Sequence, residues 1–461
     1  MPTSDGVTQH PWRRFVCKLL IVLAAVIATD VALCYVLEPY AGSTELMWSE
    51  YRKADEIDTV FIGSSATGYG IAPDVFDQAM GTHSFNMGTP GQTIHDSVTS
   101  LKQAKRDHDV SRAVICVGYE TILEYPYINS SVIYTQAKCV DEPIGQVFSD
   151  VVDLVGYPYY FSKIYSLSCA FPWAYNHVDL TPGGISANID RRLNQDTLQA
   201  AAAYAEASND EGWDYWGQGY DGYTTLMGTS FDHGFRFSSH PADSPLIQET
   251  LTDINALCAY CQEAGIKLYV VGAAYVPSAL IEYGQSYQEG MAQVQKVAED
   301  HGATFFDLNM LHKGMFQQDR SLYFNQVHLN RAGAERASAT IAEVISRADE
   351  GEDITSLSFP YTAEGWNDWL ASLDYVDAVD YVSMLDGTRV LVEAQATTGP
   401  ETIVEYRLER QEGEDGAWEL VRDWEANPVF EFQGSADTLV RLQARAVGTQ
   451  ADTREVTGPI I

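Results

Sequence analysis

The sequence predicts a three-layer α/β domain built on a parallel sheet, followed by a C-terminal β-sandwich and preceded by one membrane-spanning helix. Three observations support this prediction: apolar runs alternate with helix-period segments, a C-terminal region has period-two patterning, and a long apolar stretch lies near the N-terminus. A chain of 461 residues exceeds the ~250–300 residues at which single cores stop growing, so at least two folded units are expected.

The composition is that of a globular, strongly acidic chain. Hydrophobic residues make up 46% of it, and the 35 glycines and 17 prolines show no collagen-like or low-complexity bias. The 28 Lys and Arg residues stand against 64 Asp and Glu residues, which gives a formal net charge of −36. A surface this acidic repels phosphate backbones, so nucleic acid is excluded as an expected partner.

The N-terminal segment predicts a membrane anchor. Residues 1–18 form a short basic tail, and residues 19–37 (LLIVLAAVIATDVALCYVL) carry one charge, Asp30, over about the ~20 residues that cross a bilayer. Basic residues before the stretch and acidic residues after it follow the positive-inside rule, which predicts a single-pass cell-membrane protein with its bulk outside. A cleaved signal peptide and a buried soluble helix are the alternatives; the first is disfavoured because no clear small-x-small cleavage site follows.

Five apolar runs predict strands that are separated by helices, the pattern of βαβ units. The predicted strands are Asp58–Ile62, Ser84–Asn86, Ala113–Val117, Lys267–Val271 and Thr304–Leu308. Helical spacing is found in Thr93–His108, Gly290–Asp300 and Arg331–Arg347, and a further helix is expected to start near Pro73. We expect this α/β domain to span residues 50–348, with an insertion at 124–244 between the third and fourth strands.

The insertion contains an aromatic-rich stretch at residues 211–237. Glycines are interleaved there with Trp213, Tyr215, Trp216, Tyr220, Tyr223, Phe231, Phe235 and Phe237. Aromatic rings on loops commonly stack on sugars, which suits a glycan-contacting cap, and they also form small local cores. The local core is the favoured interpretation.

A period-two pattern predicts the C-terminal β-sandwich. An acidic linker at 349–356 precedes residues 357–461, in which apolar and polar positions alternate and turns such as Gly413–Gly416 separate the runs. The alternating apolar positions are Val390, Val392, Ala394, Val404, Tyr406, Leu408, Phe430, Phe432, Val440, Leu442, Ala444 and Ala446. A length of about 100 residues suits a sandwich of the immunoglobulin-like class.

Seven cysteines are too sparse for a disulfide scaffold. Cys258 and Cys261 form a Cys-x-x-Cys within a helical pattern, and no second pair exists to complete a zinc site. We therefore expect two buried thiols on one helix face. A disulfide between Cys139 and Cys169 stays open.

Two segments contain candidates for chemistry. The run FIGSS at 61–65 ends the first predicted strand, where a parallel sheet can present the hydroxyl of Ser65 to a ligand. The run NQVHLN at 325–330 follows the last predicted strand and precedes a helix, which predicts that His328 lies on a loop at the same sheet edge. Ser65 and His328 can therefore meet. Taken alone, the first motif is ordinarily a turn of small residues and the second a loop with a surface histidine.

With these motifs in order, residues 58–347 resemble the SGNH/GDSL hydrolase superfamily. Its first block is a Gly-x-Ser after the first strand, and its last is an Asp-x-x-His before the final helix; Asn86-Met87-Gly88 matches a block after the second strand. The GSS, SFNMG and HLNRAG motifs are most similar in style to two membrane-anchored, envelope-modifying branches, the alginate O-acetyltransferase-like proteins and the D-alanine transfer protein of teichoic acid modification. The resemblance implies a flavodoxin-like α/β fold.

The resemblance also implies roles for the residues in these blocks. Ser65 would be the nucleophile and His328 the general base, while the amides of Ser65 and Gly88, in the block that contains Asn86, would stabilise the oxyanion. Physical chemistry agrees with these roles, because a serine hydroxyl needs an adjacent base and backbone donors stabilise the developing charge.

Two positions depart from the family pattern. Asn325 stands where an aspartate would orient the histidine, and Gly118-Tyr119-Glu120-Thr121 replaces the block that supplies an asparagine to the oxyanion hole. We expect a Ser–His dyad in which the carbonyl oxygen of Asn325 fixes the imidazole ring. Glu120 is the alternative partner of His328, or a substrate contact.

The expected function is that of an extracytoplasmic serine esterase or O-acyltransferase acting on acyl groups of a cell-envelope carbohydrate or polymer. Its expected partners are the membrane, through the N-terminal helix, and an envelope carbohydrate or acyl donor. No cofactor or metal is expected, because the sequence has no Gly-rich phosphate loop or His/Asp metal cluster at useful spacing. The alternative is a catalytically weak or inactive surface protein that binds glycan or protein on the same scaffold.

Overall fold

The computed structural model describes most of the chain. The described residues are 11–40, 42–123, 128–140, 142–156, 171–174, 176–207, 211–227, 246, 248–316, 318–373, 376–399, 402–413, 416–447 and 453–460. Within them the predicted fold class is confirmed: a parallel five-stranded sheet with helices, a C-terminal β-sandwich and one N-terminal apolar helix. Phe231, Phe235, Phe237 and Cys169 lie outside the described residues.

The regular elements of the described residues are numbered in chain order. The strands are β1 (Thr59–Gly63), β2 (Ser84–Asn86), β3 (Arg112–Val117), β4 (Trp213–Gly217), β5 (Tyr220–Tyr223), β6 (Lys267–Gly272), β7 (Thr304–Asp307), β8 (Tyr323–Asn325), β9 (His328–Leu329), β10 (Val376–Asp386), β11 (Arg389–Thr398), β12 (Val404–Glu412), β13 (Glu419–Glu425), β14 (Val429–Gln433), β15 (Thr438–Ala446) and β16 (Arg454–Pro459). The helices are α1 (Pro11–Leu37), α2 (Ser43–Tyr51), α3 (Ser65–Gly68), α4 (Pro73–Met80), α5 (Ile94–Asp107), α6 (Tyr119–Leu123), α7 (Ile128–Cys139), α8 (Ile144–Gly156), α9 (Pro182–Asn194), α10 (Thr197–Ala207), α11 (Gln248–Ala264), α12 (Pro277–Asp300), α13 (Arg331–Asp349) and α14 (Ala363–Ser372).

The central sheet has the strand order β2-β1-β3-β6-β7, and its pairs are parallel. This is the flavodoxin-like order, in which ligands bind at the carboxyl ends of the strands beside the switch point between β1 and β3. Every residue of β1 is buried, which agrees with its mostly apolar sequence. The fold therefore predicts a site just beyond Gly63.

The start of the serine segment differs from the prediction. A helix was expected only near Pro73, and α4 does begin there, but the single-turn helix α3 begins at Ser65 itself. Gly63 makes the abrupt change of direction, since its φ of 138° lies in a region that favours glycine. The serine thus stands at a strand-to-helix turn.

Two compact units divide the chain: Met1–Leu46 with Ile128–Tyr204, and Met47–Tyr127 with Ala205–Ile461. The first unit contains α1, within which Trp12–Leu37 is, in the described part of the chain, the helix long and apolar enough to cross a membrane; a signal sequence would look the same. Asn188 of α9 donates to the carbonyls of Val36 and Glu38 at 3.1 and 2.7 Å, which satisfies oxygens that a helix end leaves without partners.

The C-terminal sandwich has a three-stranded sheet (β10-β11-β14) and a four-stranded sheet (β13-β12-β15-β16). The alternating apolar positions form its core as predicted, with Val404 and Phe432 partly buried and the other ten buried. The predicted domain boundaries stay predictions. Before β10, buried Trp369 of α14 donates from Nε1 to the carbonyl of Asn309 at 2.9 Å, so residues ahead of the first strand contact the α/β domain.

The cysteines agree with the expectation as far as they are described. Cys258 and Cys261 are unpaired and buried on α11, and burial raises their pKa values to about 11 and about 12. Thiols with such pKa values are poor nucleophiles at neutral pH. Cys139 is free, and its possible partner Cys169 lies outside the described residues.

Gly63 provides a test of the turn that presents the serine. A Cβ at Gly63 would lie 2.2 Å from Thr67 Oγ1, whereas one at Gly81, which also has positive φ, would meet nothing within 4 Å. Gly81→Ala is therefore expected to cost about 1–2 kcal/mol of stability from backbone strain alone, and Gly63→Ala clearly more. Urea unfolding midpoints of the two variants measure this, and equal losses would contradict a steric constraint at Gly63.

Candidate active site

The β1–α3 turn holds Ser65 at the carboxyl edge of the sheet. Thr67 fixes the turn, because its Oγ1 donates to the carbonyl of Ile62 at 3.0 Å. Ser65 is half-buried and opens the first turn of α3, where backbone N–H groups lack helical acceptors. Its amide has no acceptor within the described residues, so it can donate to a ligand.

The histidine lies on a short hairpin, not on the loop predicted from sequence. Strands β8 and β9 pair antiparallel, and the register places Asn325 directly opposite His328. Asn330 closes the hairpin: its N–H donates to the carbonyl of Leu322 at 2.9 Å, and its Oδ1 accepts the N–H of Gly333 at 3.0 Å, which caps α13. Pairing across the hairpin is what brings the side chain of Asn325 to the imidazole.

A continuous hydrogen-bond chain joins the three predicted residues. His328 Nε2 lies 2.8 Å from Ser65 Oγ, and His328 Nδ1 lies 3.1 Å from Asn325 Oδ1. The same Oδ1 accepts the backbone N–H groups of Val327 at 3.1 Å and His328 at 3.0 Å, so this atom must be the oxygen of the amide. Nδ1 therefore carries the proton, and Nε2 presents a lone pair to the serine hydroxyl.

Aromatic rings enclose the imidazole. Phe324 stacks on His328 with ring centroids 5.4 Å apart, and Tyr69 packs edge-on at 5.5 Å. Tyr223 of β5 extends this wall, 4.3 Å from Phe324 and 5.6 Å from Tyr69. Burial lowers the pKa of His328 to about 4, because the charged ring would lose its hydration. The imidazole is neutral at pH 7, the state that a general base requires.

Asn86 and the Gly88 amide make contacts with each other and with the chain, where the resemblance implied an oxyanion contact for Gly88. Asn86 is fully buried, and its Nδ2 donates to the carbonyls of Thr67, Gly68 and Ile71 at 3.0, 3.3 and 2.9 Å. Its Oδ1 accepts the N–H of Gly88 at 2.9 Å. The Gly88 amide is thus already used, so of the two predicted oxyanion donors the Ser65 amide remains, and Asn86 holds the loop after Ser65.

Glu120 lies at the carboxyl end of β3 and contacts tyrosines instead of the histidine. The hydroxyls of Tyr275 and Tyr283 donate to its two carboxylate oxygens, the latter at 2.9 Å. Burial and this carboxylate hold the pKa of Tyr275 well above its ordinary value, which keeps the hydroxyl protonated as a donor. Both ring nitrogens of His328 have other partners, so the orienting role falls to Asn325.

Part of the aromatic stretch forms a local core, which was the favoured interpretation, and the glycan-contacting cap stays a prediction. Trp216 and Tyr220 form a small cluster under the guanidinium of Arg331, which lies 4.9 and 5.1 Å from their rings. This is the favoured local core, whereas Tyr223 of the same hairpin reaches the imidazole's aromatic wall. Tyr69 and Phe324 were missed from sequence; each lies four residues from Ser65 or His328, which was the available signal.

Comparisons with known proteins find only distant structural similarities. No family model matches the sequence, and no curated protein matches it. Among solved structures, a GDSL-like lipase from Bacteroides thetaiotaomicron is 12% identical with a TM-score of 0.31, over 66% of this chain and 98% of its own. A lipase/acylhydrolase from Enterococcus faecalis is 12% identical with a TM-score of 0.28, over 63% and 97%. The acetyl xylan esterase AlAXEase is 12% identical with a TM-score of 0.29, over 62% and 98%.

Similarities this low leave the chemistry of the chain to be judged from its own residues. In the residues that the structure describes, no group of three or more His, Cys, Asp or Glu residues is arranged to hold a metal ion. The arrangement that can do chemistry is the serine, the neutral imidazole and the amide oxygen behind it.

The low pKa of His328 predicts the pH dependence of acylation. Since only the neutral ring accepts the serine proton, the rate should stay level at neutral pH and fall as pH drops through about 4. Asn325→Asp keeps the shape of the side chain but adds a negative charge, which stabilises imidazolium, raises the pKa of His328 and moves the acid limb to higher pH. It should also raise the acylation rate by strengthening the base.

The measurement is the rate of p-nitrophenyl acetate turnover from about pH 3 to 8. Asn325→Ala is the control, since it removes the acceptor of the ring N–H and should lower the rate at every pH. An acid limb that stays in place in Asn325→Asp would show that residue 325 does not act on the imidazole.

Glu120→Gln tests the competing role of Glu120. The dyad predicts an unchanged acid limb and a rate within a few-fold of wild type, because the carboxylate is engaged by Tyr275 and Tyr283. Tyr283→Phe, which removes one donor to Glu120, is the matched variant in the same assay. Loss of activity in Glu120→Gln together with no gain in Asn325→Asp would reject the dyad.

Proposed function

We propose that the protein is a serine esterase or O-acyltransferase of the SGNH type. The observation that supports this best is the 2.8 Å contact between Ser65 Oγ and His328 Nε2, with Asn325 Oδ1 on the far ring nitrogen. A nucleophile within hydrogen-bond reach of a base, which a third group orients, is the arrangement that covalent acyl transfer requires. The GDSL-like lipases and acylhydrolases among the similar structures have names that agree with this chemistry.

Acylation follows from the geometry. Ser65 Oγ attacks the ester carbonyl carbon as His328 Nε2 takes its proton, and the carbonyl oxygen becomes an oxyanion that the Ser65 amide faces. The tetrahedral intermediate collapses when the bond to the leaving oxygen breaks, and the imidazolium returns its proton to that oxygen. The products are an alcohol and an acyl ester on Ser65, with His328 neutral again.

Deacylation decides between an esterase and a transferase. His328 takes a proton from an incoming hydroxyl, which attacks the acyl carbonyl, and the proton then returns to Ser65 Oγ as the ester bond breaks. Water gives a free acid, whereas a sugar hydroxyl gives a new ester. The aromatic wall of Tyr69, Tyr223 and Phe324 beside the imidazole suits a sugar acceptor, because aromatic faces pack well against pyranose rings.

The proposed site of action rests on the N-terminal segment. We propose a single-pass membrane protein whose α/β domain lies outside the membrane, anchored by the apolar helix Trp12–Leu37. The substrate class proposed is then an acyl ester of a cell-envelope carbohydrate or polymer, consistent with the motif style of the envelope-modifying branches. Expression in cells followed by protease treatment of intact spheroplasts tests the topology: digestion of the α/β domain supports it, and protection rejects it.

A glycan- or protein-binding scaffold without turnover is the second candidate. Two features favour this candidate: the amide of Gly88 is already bonded to Asn86, and Asn325 is neutral. A site with a second free oxyanion donor and an aspartate behind the histidine would stabilise the transition state more strongly. The short contact between Ser65 and His328 favours the enzyme, because a binding scaffold has no need of an aligned base.

The two candidates differ in covalent chemistry at Ser65. The full-length protein should react with a fluorophosphonate probe and turn over p-nitrophenyl acetate, and Ser65→Ala should abolish both. Ser64→Ala is the matched control, because Ser64 is adjacent and half-buried but its side chain makes no capping hydrogen bond. Labelling and turnover that survive Ser65→Ala would remove Ser65 from the mechanism, and their absence in the wild type would favour the binding scaffold.

A further inference from the structure

Residues 319 and 320, just before the β8–β9 hairpin that carries His328, contact the C-terminal sandwich through two ion pairs. Arg320 Nη1 lies 3.3 Å from Asp377 Oδ1, near the start of β10. Asp319 Oδ2 lies 3.5 Å from Arg454 Nη2, at the first residue of β16. Acidic Asp319 thus pairs with a basic residue of β16, and basic Arg320 pairs with an acidic residue of β10. Two adjacent residues therefore contact two different strands of the sandwich.

The Arg320–Asp377 pair is buried on both sides, and the Asp319–Arg454 pair is partly buried, whereas the Arg389–Glu431 pair of the sandwich is exposed. The side chains of Arg320 and Asp377 are 4% and 5% exposed. Arg454 is 8% exposed and Asp319 25%. Removing one partner of a buried pair leaves the other charge buried without a partner, which costs stability, whereas an exposed pair contributes little to stability. The contact therefore links residues 319 and 320 to strands β10 and β16 of the sandwich.

Residues 319–322 connect the ion pairs to the β8–β9 hairpin through hydrogen bonds. Asp319 Oδ1 accepts the N–H of Ser321 at 2.7 Å, which starts the short 3-10 turn Arg320–Leu322. Asn330 then ties that turn to the far end of the hairpin, with Nδ2 donating to the carbonyl of Ser321 at 2.8 Å. The two ends of the β8–β9 hairpin, which carries Asn325 and His328, are thus joined to each other next to the residues that contact the sandwich.

The opposite side of the hairpin is held by the α/β domain. The hydroxyl of buried Tyr323 donates to the carbonyl of Tyr275 at 2.9 Å, and the N–H of Val276 donates to the carbonyl of Gln326 at 3.2 Å. The hairpin is therefore held by the segment after β6 and is linked to the sandwich through residues 319 and 320, and the N–H of Met227 also donates to the carbonyl of Tyr323 at 2.8 Å.

We propose that the C-terminal β-sandwich is a positioning element of the catalytic site, acting through Arg320–Asp377 and Asp319–Arg454 on the hairpin that carries His328. This inference rests on the proposed esterase or acyltransferase function. The sandwich is then part of the machinery and not a separable binding module. Asp377 and Arg320 are positioning residues, because they touch neither the substrate nor the reacting atoms.

The test is Asp377→Asn in the full-length protein, which keeps the shape but removes the charge that faces Arg320. We expect kcat for p-nitrophenyl acetate, per fluorophosphonate-titratable site, to fall roughly 10- to 100-fold with KM little changed, since small misplacements of a base are costly. Asp377→Glu should restore much of the rate. Glu431→Gln, which breaks the exposed Arg389–Glu431 pair on the same sandwich, should leave kcat unchanged.

A second readout separates positioning from stability. The double variant Arg320→Met/Asp377→Leu removes both charges of the buried Arg320–Asp377 pair and should recover the melting temperature of the wild type while kcat stays low. Wild-type kcat in that double variant, or in folded Asp377→Asn, would overturn the proposal.

A third readout does not depend on turnover. Histidine ring NMR follows the protonation of His328, assigned with His328→Gln, and a loosened hairpin should hydrate the ring and move its midpoint up from about pH 4. An unmoved midpoint in Asp377→Asn would count against the proposal even if the wild type has no esterase activity. Absent labelling of Ser65 in the wild type would instead reject the proposed function itself.

Discussion

The hydrogen bond between Ser65 Oγ and His328 Nε2 joins residues that are 263 positions apart, and the rest of the site is organised around it. Two local structures have to be in place before it can form: a strand-to-helix turn that needs Gly63, and a hairpin that is closed by Asn330. A parallel sheet brings the carboxyl ends of its strands to one edge, so these two structures end on the same side of the molecule. The contact therefore depends on the sheet order, and on hydrogen bonds that hold each segment at its own end.

Asn325 in place of aspartate has a specific physical consequence. In serine proteases, the same exchange lowers turnover about 10⁴-fold because the amide presents its nitrogen and stabilises the wrong tautomer of the histidine. Here the backbone N–H groups of Val327 and His328 both donate to Oδ1, which keeps the oxygen toward the ring. The correct tautomer is thus preserved without a charge. What is lost is electrostatic stabilisation of the imidazolium, and burial adds to that loss by lowering the pKa of His328 to about 4.

Polar groups that sequence patterns associate with catalysis are used here to hold the framework. The amide of Asn86 satisfies three carbonyls of the loop after Ser65 and the N–H of Gly88, all in a buried place where unpaired polar atoms are costly. Glu120 is held by two tyrosine hydroxyls in the same way. The site gains rigidity from these contacts, and the number of free donors for an oxyanion falls.

The sequence by itself determined the main strands and the order in which they follow one another along the chain, because hydrophobic periodicity reports which face of a strand is buried. The five parallel strands, the alternating core of the sandwich and the N-terminal apolar helix were all visible in it, and so was the pairing of a serine after β1 with a histidine before α13. The other contacts between distant segments were not visible, because no local pattern encodes which side chain reaches which across a fold. Only the tertiary structure decided that Gly88 is engaged by Asn86, that the backbone N–H groups of Val327 and His328 hold the oxygen of Asn325 toward the ring, and that Asp377 lies against Arg320. Each of those outcomes depends on hydrogen-bond direction and burial, which exist only once the chain has folded.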